Sequence, residues 1–182
     1  MARPPARDAP RQGASRAAQV DDLTWAEDQG VTAVVTTGIG VPTWAAAPDP
    51  VTADAGYRPG TINILVAVSA PVCDSGLVNL LATATEAKVQ ALLDADCSCS
   101  GTPTDAICVA VREPVPGEQP ELFGGPRSRW SSRLARAVHR AVLQGAEGDR
   151  TRGDRAGAAS GHGEVTTRPP CGSCRPGWKD GS

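Results

Sequence analysis

The feature that most constrains the fold is a strand, a long helix and a second strand that follow one another in the middle of the chain. Thr61–Ser69 contains the near-continuous apolar stretch Ile64–Val68, which predicts a central strand covered on both faces. Helical periodicity over Ser75–Ala95 and β-branched residues over Ala106–Arg112 then predict a helix and a further strand. This order is typical of an α/β layered domain.

The flanking segments extend this pattern. Val31–Thr37 is rich in β-branched residues and predicts an earlier strand. Ser128–Gln144 predicts a second helix, with Gly145 as the residue that ends it. The segment Glu113–Pro126 carries four prolines and predicts a loop. We therefore expect a single α/β domain, a mixed sheet flanked by helices, and a core built from Ala, Val and Leu because aromatic residues supply only 3% of the chain.

Composition divides the chain into three zones. Residues 1–22 and 146–182 are rich in Arg, Gly, Ala and Pro without apolar periodicity, which predicts a disordered arm and a disordered tail around a folded domain at 23–145. The net charge of −2 favours neither a nucleic-acid nor a membrane partner. No apolar leader follows the first arginines, so we expect a cytoplasmic protein whose six cysteines are reduced.

The predicted first helix carries a lysine at an unusual position. The helix is expected to begin at Asp74 or Ser75 as N-cap, and its wheel places Lys88 in the middle of an apolar stripe, beside Thr85. A lysine there must extend its ammonium to solvent, find a partner or line a pocket. Glu86 falls on the polar side of the same wheel, as a solvated helix residue would.

The loop before the third predicted strand concentrates short polar side chains. Its sequence is SCSGTPTD, in which Gly101 and Pro103 favour a tight turn that presents Thr102, Thr104 and Asp105. Loops at strand ends in α/β sheets are common ligand sites. An ordinary turn, in which these groups bond their own backbone, explains the same residues.

Other candidate residues have structural explanations as well. Cys171 and Cys174 have the spacing of half a zinc site, or form a fortuitous pair. No suitably placed histidine accompanies Cys97 and Cys99, which argues against a thiol nucleophile. Trp44 is suited to packing or to stacking on a large ligand. Four arginines at helical spacing are typical of a solvated face, and they are Arg129, Arg133, Arg136 and Arg140.

Five short motifs occur in order along the folded zone. They read VPTWAA at 41–46, GTIN at 60–63, TEAK at 85–88, SGTPTD at 100–105 and FGGPRSRW at 123–130. Together they resemble the CbiZ-type adenosylcobinamide amidohydrolases, over residues 31–145. The chain has only two lysines and two asparagines, and one of each, Lys88 and Asn63, lies inside these motifs.

The resemblance implies hydrolysis of the amide that joins aminopropanol to the corrin ring of adenosylcobinamide, giving adenosylcobyric acid for cobalamin salvage. Our hypothesis gives Asp105 or Glu86 the activation of water and gives Lys88 with Asn63 the oxyanion contact. Thr102 and Thr104 would bind substrate, or one of them would be the nucleophile. The implied catalytic residues are Asp105, Lys88, Glu86 and Thr104. The implied substrate-binding residues are Asn63, Thr61, Thr85, Thr102, Gly101, Trp44 and Arg127.

The resemblance implies no metal site and no cofactor, because cobalt enters only within the corrinoid substrate. A broad, apolar corrin ring favours an open cleft over a deep pocket. Family members carry a further strand-rich segment upstream of residue 31, and residues 1–22 do not resemble it. The alternatives are therefore a truncated, non-catalytic corrinoid-binding remnant, or a small zinc- or partner-binding protein that uses the cysteine pair of the tail. The oligomeric state stays open.

Overall fold

A computed structural model describes residues 20–48 and 60–159. After a short 3-10 turn at Val20–Asp22, the described chain forms four strands and two long helices. They are β1 (Thr24–Asp28), β2 (Val31–Gly38), β3 (Thr61–Val68), α1 (Asp74–Asp94), β4 (Ala106–Val111) and α2 (Arg129–Ala159).

The strands form one mixed sheet in the order β1-β2-β3-β4. The β1–β2 and β2–β3 pairs are antiparallel, whereas β3 and β4 run parallel and are joined by α1. A helical crossover is the expected connection between parallel neighbours, which cannot be joined by a hairpin. The predicted α/β class with a mixed sheet is confirmed.

One face of the sheet carries the core. On β3 the inward residues are Ile62, Ile64, Val66 and Val68, which are at most 4% exposed and pack with apolar residues of both helices. The alternate residues Asn63, Leu65 and Ala67 are exposed. Within residues 20–48 and 60–159 nothing covers this second face, so the prediction of a strand buried on both faces is wrong. The stretch was predicted to be buried on both faces because Leu65 and Ala67 are also apolar, although they point away from the core.

Helix α1 begins one residue before its predicted start. Cys73 occupies the N-cap position and makes no side-chain cap hydrogen bond, so neither Asp74 nor Ser75 is the N-cap. Asp96, at φ +58°, follows the last turn. The buried stripe is also rotated from the one that the helical wheel predicts, which includes Leu77 and Leu81 but not Leu80. In the structure Leu80 is fully buried, whereas Leu81 is 43% exposed.

Helix α2 does not end at Gly145 but continues to Ala159. A side chain at Gly145 would overlap Thr37 Oγ1 and would lie 3.0 Å from Thr37 Cβ. This glycine therefore allows the helix to cross β2 closely instead of ending it. The predicted tail is helical over residues 146–159, where Asp149 is buried and accepts a hydrogen bond from Ile39 N at 3.4 Å. Residues 160–182 and most of the predicted arm lie outside the described residues.

Strand β1 was not predicted, because its sequence TWAED has few β-branched residues. It pairs with β2 through a tight turn in which Gln29 and Gly30 both have positive φ, as hairpin turns of two residues require. Three of the four arginines predicted to form a solvated face contact this turn. Arg136 and Arg140 reach Asp28 at 2.8 and 3.3 Å, and Arg133 donates to Gln29. These guanidinium groups hold the pKa of Asp28 below its usual range, first through the hydrogen bond from Arg136.

Candidate active site

Three of the five motifs meet at the end of the sheet where β3 and β4 begin. Thr43 N donates to Gly101 O at 2.9 Å, and Ser100 N donates to Thr43 O at 3.0 Å. On the other side of the loop, Thr61 Oγ1 donates to Thr104 O at 2.9 Å. The segment at 41–46 and the start of β3 thus enclose the loop at 100–105.

A fourth motif reaches this loop from α1 through a buried ion pair. Lys88 Nζ lies 2.6 Å from Asp105 Oδ2, and the two side chains are only 8% and 10% exposed. The sequence left three possibilities for Lys88, namely contact with solvent, a partner or a pocket, and the structure shows a partner. The charge-assisted hydrogen bond offsets part of the cost of burying the two charges.

Asp105 accepts further hydrogen bonds from two separate segments. Ile62 N donates to Oδ1 at 3.0 Å, Thr102 N donates to Oδ2 at 3.1 Å, and Thr102 Oγ1 lies 2.5 Å from Oδ1. With Lys88, four donors therefore converge on one carboxylate. This arrangement fixes the carboxylate between β3, α1 and the loop.

Gly101 is the residue that lets the loop approach this ion pair. A Cβ at this position would overlap Asp105 Oδ2 and would lie 2.7 Å from Lys88 Nζ. A larger residue would therefore displace the ion pair or the loop. Gly101 was predicted from the sequence to lie in a tight turn, and the structure shows this close approach as well.

The two threonines of the loop differ in their surroundings. Thr102 is 8% exposed, and its hydroxyl lies between Asp105 Oδ1 and Gly60 O, the latter at 3.1 Å. Thr104 is exposed, and its hydroxyl donates to the same Gly60 carbonyl at 3.1 Å. Only Thr102 therefore contacts the carboxylate directly.

Two other candidates lie apart from the ion pair. Glu86 is exposed on α1, and a separation of two residues places it about 200° around the helix from Lys88. Asn63 lies on the uncovered face of the sheet, where its Nδ2 donates to Thr36 Oγ1 at 3.3 Å. The ion pair lies on the helix side, so the structure does not bring Asn63 and Lys88 together as the oxyanion hypothesis requires.

The remaining candidate residues are Thr85, Trp44 and Arg127. Thr85 is exposed, and its hydroxyl donates to Leu81 O in its own helix. The ring of Trp44 is half-buried, and its Nε1 is shielded without a hydrogen-bond partner among the described residues. Arg127 is exposed in the fifth motif, which is anchored elsewhere, since Gly124 O accepts a hydrogen bond from Thr83 at 3.2 Å.

The described cysteines do not form a catalytic cluster. Burial raises the pKa of the Cys99 thiol to about 11, which keeps it protonated at neutral pH. A hydrogen bond with Ser75 lowers the pKa of Cys73, at the far end of α1. No group of three His, Cys, Asp or Glu side chains suited to a metal ion occurs in the part of the chain that the structure describes. The proposed half zinc site at Cys171 and Cys174 lies outside that part.

Neither described helix has the length and apolarity that crossing a membrane would require.

The sequence did not reveal a groove on the uncovered face of the sheet. It has a volume of about 340 Å³ and is lined by Asn63, Leu65 and Cys108 with their neighbours on β2 and β4. The sequence of β3 contains a signal for this uncovered face, because Ile and Val at even positions alternate with Thr, Asn, Leu and Ala at odd positions. Such alternation indicates burial on one face only.

Comparison with known proteins gives one match. The family model for adenosylcobinamide amidohydrolase matches residues 12–154 and so includes all five motifs. The searches of curated proteins and of solved structures gave no match.

Proposed function

The chain belongs to the adenosylcobinamide amidohydrolase family, and from this premise we propose that it hydrolyses the aminopropanol amide of adenosylcobinamide. The products would be aminopropanol and adenosylcobyric acid, which re-enters cobalamin synthesis. The observation that carries the proposal is the buried Lys88–Asp105 ion pair, which lies where four of the five motifs meet or adjoin.

Lys88 is suited to binding the substrate carbonyl. An ammonium group has three N–H donors, and in residues 20–48 and 60–159 its hydrogen-bond partner is Asp105. Two donors are therefore available to the oxygen that becomes negatively charged when the carbonyl carbon is attacked. A fixed donor in a site of low water content stabilises such an oxyanion strongly.

Thr102 is the candidate nucleophile that the contacts favour. Its hydroxyl lies 2.5 Å from Asp105 Oδ1, so the carboxylate can accept the hydroxyl proton as Oγ1 bonds to the carbonyl carbon. The C–N bond would then break, with the proton passing to the departing amine, and water would hydrolyse the resulting ester. In the alternative, water attacks directly and Thr102 only binds substrate.

The second candidate function is corrinoid binding without cleavage. The near-complete burial of Lys88 and Asp105 favours it, because a substrate amide must displace the loop at 100–105 or enter beside it to reach the ion pair. In this case the motif residues would hold the fold together and the corrinoid would bind nearby.

The experiment is incubation of the purified chain with adenosylcobinamide in the dark, with aminopropanol and adenosylcobyric acid measured by mass spectrometry. The proposal requires both products in equal amounts, and their loss in Lys88→Met protein that remains folded. A folded chain that binds adenosylcobinamide but releases neither product would be a corrinoid-binding protein instead.

A further inference from the structure

The uncovered face of the sheet has a regular organisation. Trp25 is paired with Val34, Val34 with Leu65, and Leu65 with Cys108. Because the register is shared and Leu65 lies on the uncovered face, these four side chains form one row across all four strands. With about 4.8 Å between neighbouring strands, the row spans about 14 Å.

A second row lies next to the first, nearer the loop at 100–105. It consists of Thr36, Asn63 and Ala106, which are likewise paired in register. All of these residues except Trp25 line the groove described above, and we refer to the seven residues of the two rows as the open face. The lining of the groove contains no charged side chain. Its polar groups are the Asn63 amide and the Thr36 hydroxyl, which contact each other.

We propose that the open face binds the corrin ring of the substrate, with the apolar row beneath the ring and Asn63 beside its rim. This inference rests on the proposed function for the identity of the ligand. A corrin ring is broad and largely apolar and carries amide groups around its edge. A wide apolar surface with one amide at its border matches this chemistry, because the surface buries the ring while the amide of Asn63 can both donate and accept hydrogen bonds.

The open face adjoins the end of the sheet at which the candidate active site lies. Asn63 and Thr61 lie on the same strand two positions apart, and Thr61 contacts the loop through Thr104 O. Their side chains therefore project from the same side of β3. A ring on the open face would extend an amide side chain past Thr61 and around the end of the sheet to reach Asp105 and Lys88, which lie on the helix side. The role of Asn63 is then recognition of the ring instead of contact with the oxyanion.

The chain offers its own probe for this arrangement. Cys108 is an exposed cysteine in the apolar row, whereas Cys73 is accessible at the N-terminus of α1, away from the groove. The full chain would be alkylated with iodoacetamide in the dark, with and without saturating adenosylcobinamide, and the modification of each cysteine would be followed by peptide mass spectrometry. We expect the alkylation rate of Cys108 to fall at least tenfold with the corrinoid, while that of Cys73 changes less than twofold.

The other outcomes separate this inference from the proposed function. If products are released while Cys108 stays fully reactive, the inference is overturned and the amidohydrolase function stands. If Cys108 is protected without product release, the corrinoid-binding face stands and catalysis does not. If Cys108 becomes protected as the protein concentration rises in the absence of corrinoid, a second copy covers the face and the inference is wrong.

A matched pair of variants gives a second readout. Leu65 is 49% exposed on the open face, and Leu93 is 47% exposed on α1, so replacing either by Gln removes a similar exposed apolar surface. We expect Leu65→Gln to weaken adenosylcobinamide binding about tenfold and Leu93→Gln to leave it unchanged within twofold, both measured by equilibrium dialysis. Equal effects of the two substitutions would contradict the proposed site.

Discussion

Gly145 in α2 and Thr37 in β2 lie so close together that no other residue fits at the glycine without movement of its neighbour. Two buried surfaces meet there, since Ala146 and Thr37 are 1% and 3% exposed. This contact explains why Gly145, although glycine often ends helices, lies inside this one. Alanine is the better helix former, yet we expect alanine at this position to destabilise the protein.

We expect Gly145→Ala to lower the free energy of unfolding by about 1–3 kcal/mol, because the added methyl group overlaps Thr37 Oγ1 and must displace the Thr37 side chain, the helix or the strand. Gly148→Ala is the matched control in the same helix. Its added Cβ would meet only Arg152 Nη1 at 3.4 Å, so the intrinsic preference for alanine should raise stability by about 0.5–1 kcal/mol. Urea denaturation followed by circular dichroism measures both, and stabilisation by Gly145→Ala would show that the two elements do not pack this closely.

Replacing Lys88 by Met should cost about 3–5 kcal/mol, because it leaves the buried carboxylate of Asp105 without its counter-charge. The double substitution Lys88→Met with Asp105→Leu removes both charges and should cost less than the sum of the two single substitutions, although it also leaves Ile62 N and Thr102 N without their acceptor. Urea denaturation of the two single variants and the double variant gives the coupling free energy. Independent, additive effects would mean that the two side chains do not interact.

If Thr102 is the nucleophile, Thr102→Val should abolish release of aminopropanol while Thr102→Ser retains a measurable rate, because only serine keeps a hydroxyl beside Asp105. Thr104→Val is the control within the same loop, since among the described residues its hydroxyl donates only to Gly60 O. Turnover by folded Thr102→Val protein at more than a tenth of the original rate would exclude the threonine and favour direct attack by water.

Glu86 and Asp105 are the two carboxylates that the sequence offers for activating the nucleophile, and their positions predict different results. Because Glu86 is exposed on the far side of α1 from Lys88, Glu86→Gln should change turnover less than threefold. Asp105→Asn should reduce it at least a hundredfold. Both rates would be measured by release of aminopropanol, and the reverse order would place the reaction on the other side of the helix.

The ion pairs of Asp28 predict a dependence of stability on pH. Arg136 and Arg140 lower its pKa in the folded state, so the charged form stabilises the fold above the unfolded pKa of about 4. This contribution is lost as the pH falls through the lowered pKa. We expect Asp28→Asn to cost about 1 kcal/mol at pH 7, since both arginines are about half exposed. The difference should disappear once the pH is low enough to protonate Asp28 in the folded state, which requires a pH below the unfolded pKa. Thermal unfolding across this pH range measures it, and a difference that stayed constant with pH would contradict the assignment.

The central part of the fold could be predicted because local signals and tertiary packing agree there. Strand β3, helix α1 and strand β4 each carry the periodicity of the element they form, within one residue at either end. At Gly145 the local signal and the tertiary packing disagree. A glycine is suited both to ending a helix and to close packing, and only the contact with Thr37 shows which role it has here. Strand β1 has weak β propensity and is defined by its partner β2, which no local pattern could reveal.

The sequence predicted residues of the candidate site, but not which of them contact one another. An apolar helix face that includes Lys88 implies a partner, and the polar loop supplied Asp105 as one possibility. The position of Asn63 across the sheet from them was missed, because the apolar residues Leu65 and Ala67 concealed the alternation that places Asn63 on the uncovered face.

The positions of the donors to Asp105 have a consequence for the order of folding. They lie 43, 17 and 3 residues away along the chain, on β3, on α1 and within the loop itself. Contacts between distant positions form only after the loop between them has closed, and such closure slows folding. The carboxylate can therefore gain its full set of donors only when the β3–α1–β4 crossover is complete. In a refolding experiment, helical signal should return before catalytic activity does, and the interval between them measures the time the chain needs to bring these segments together.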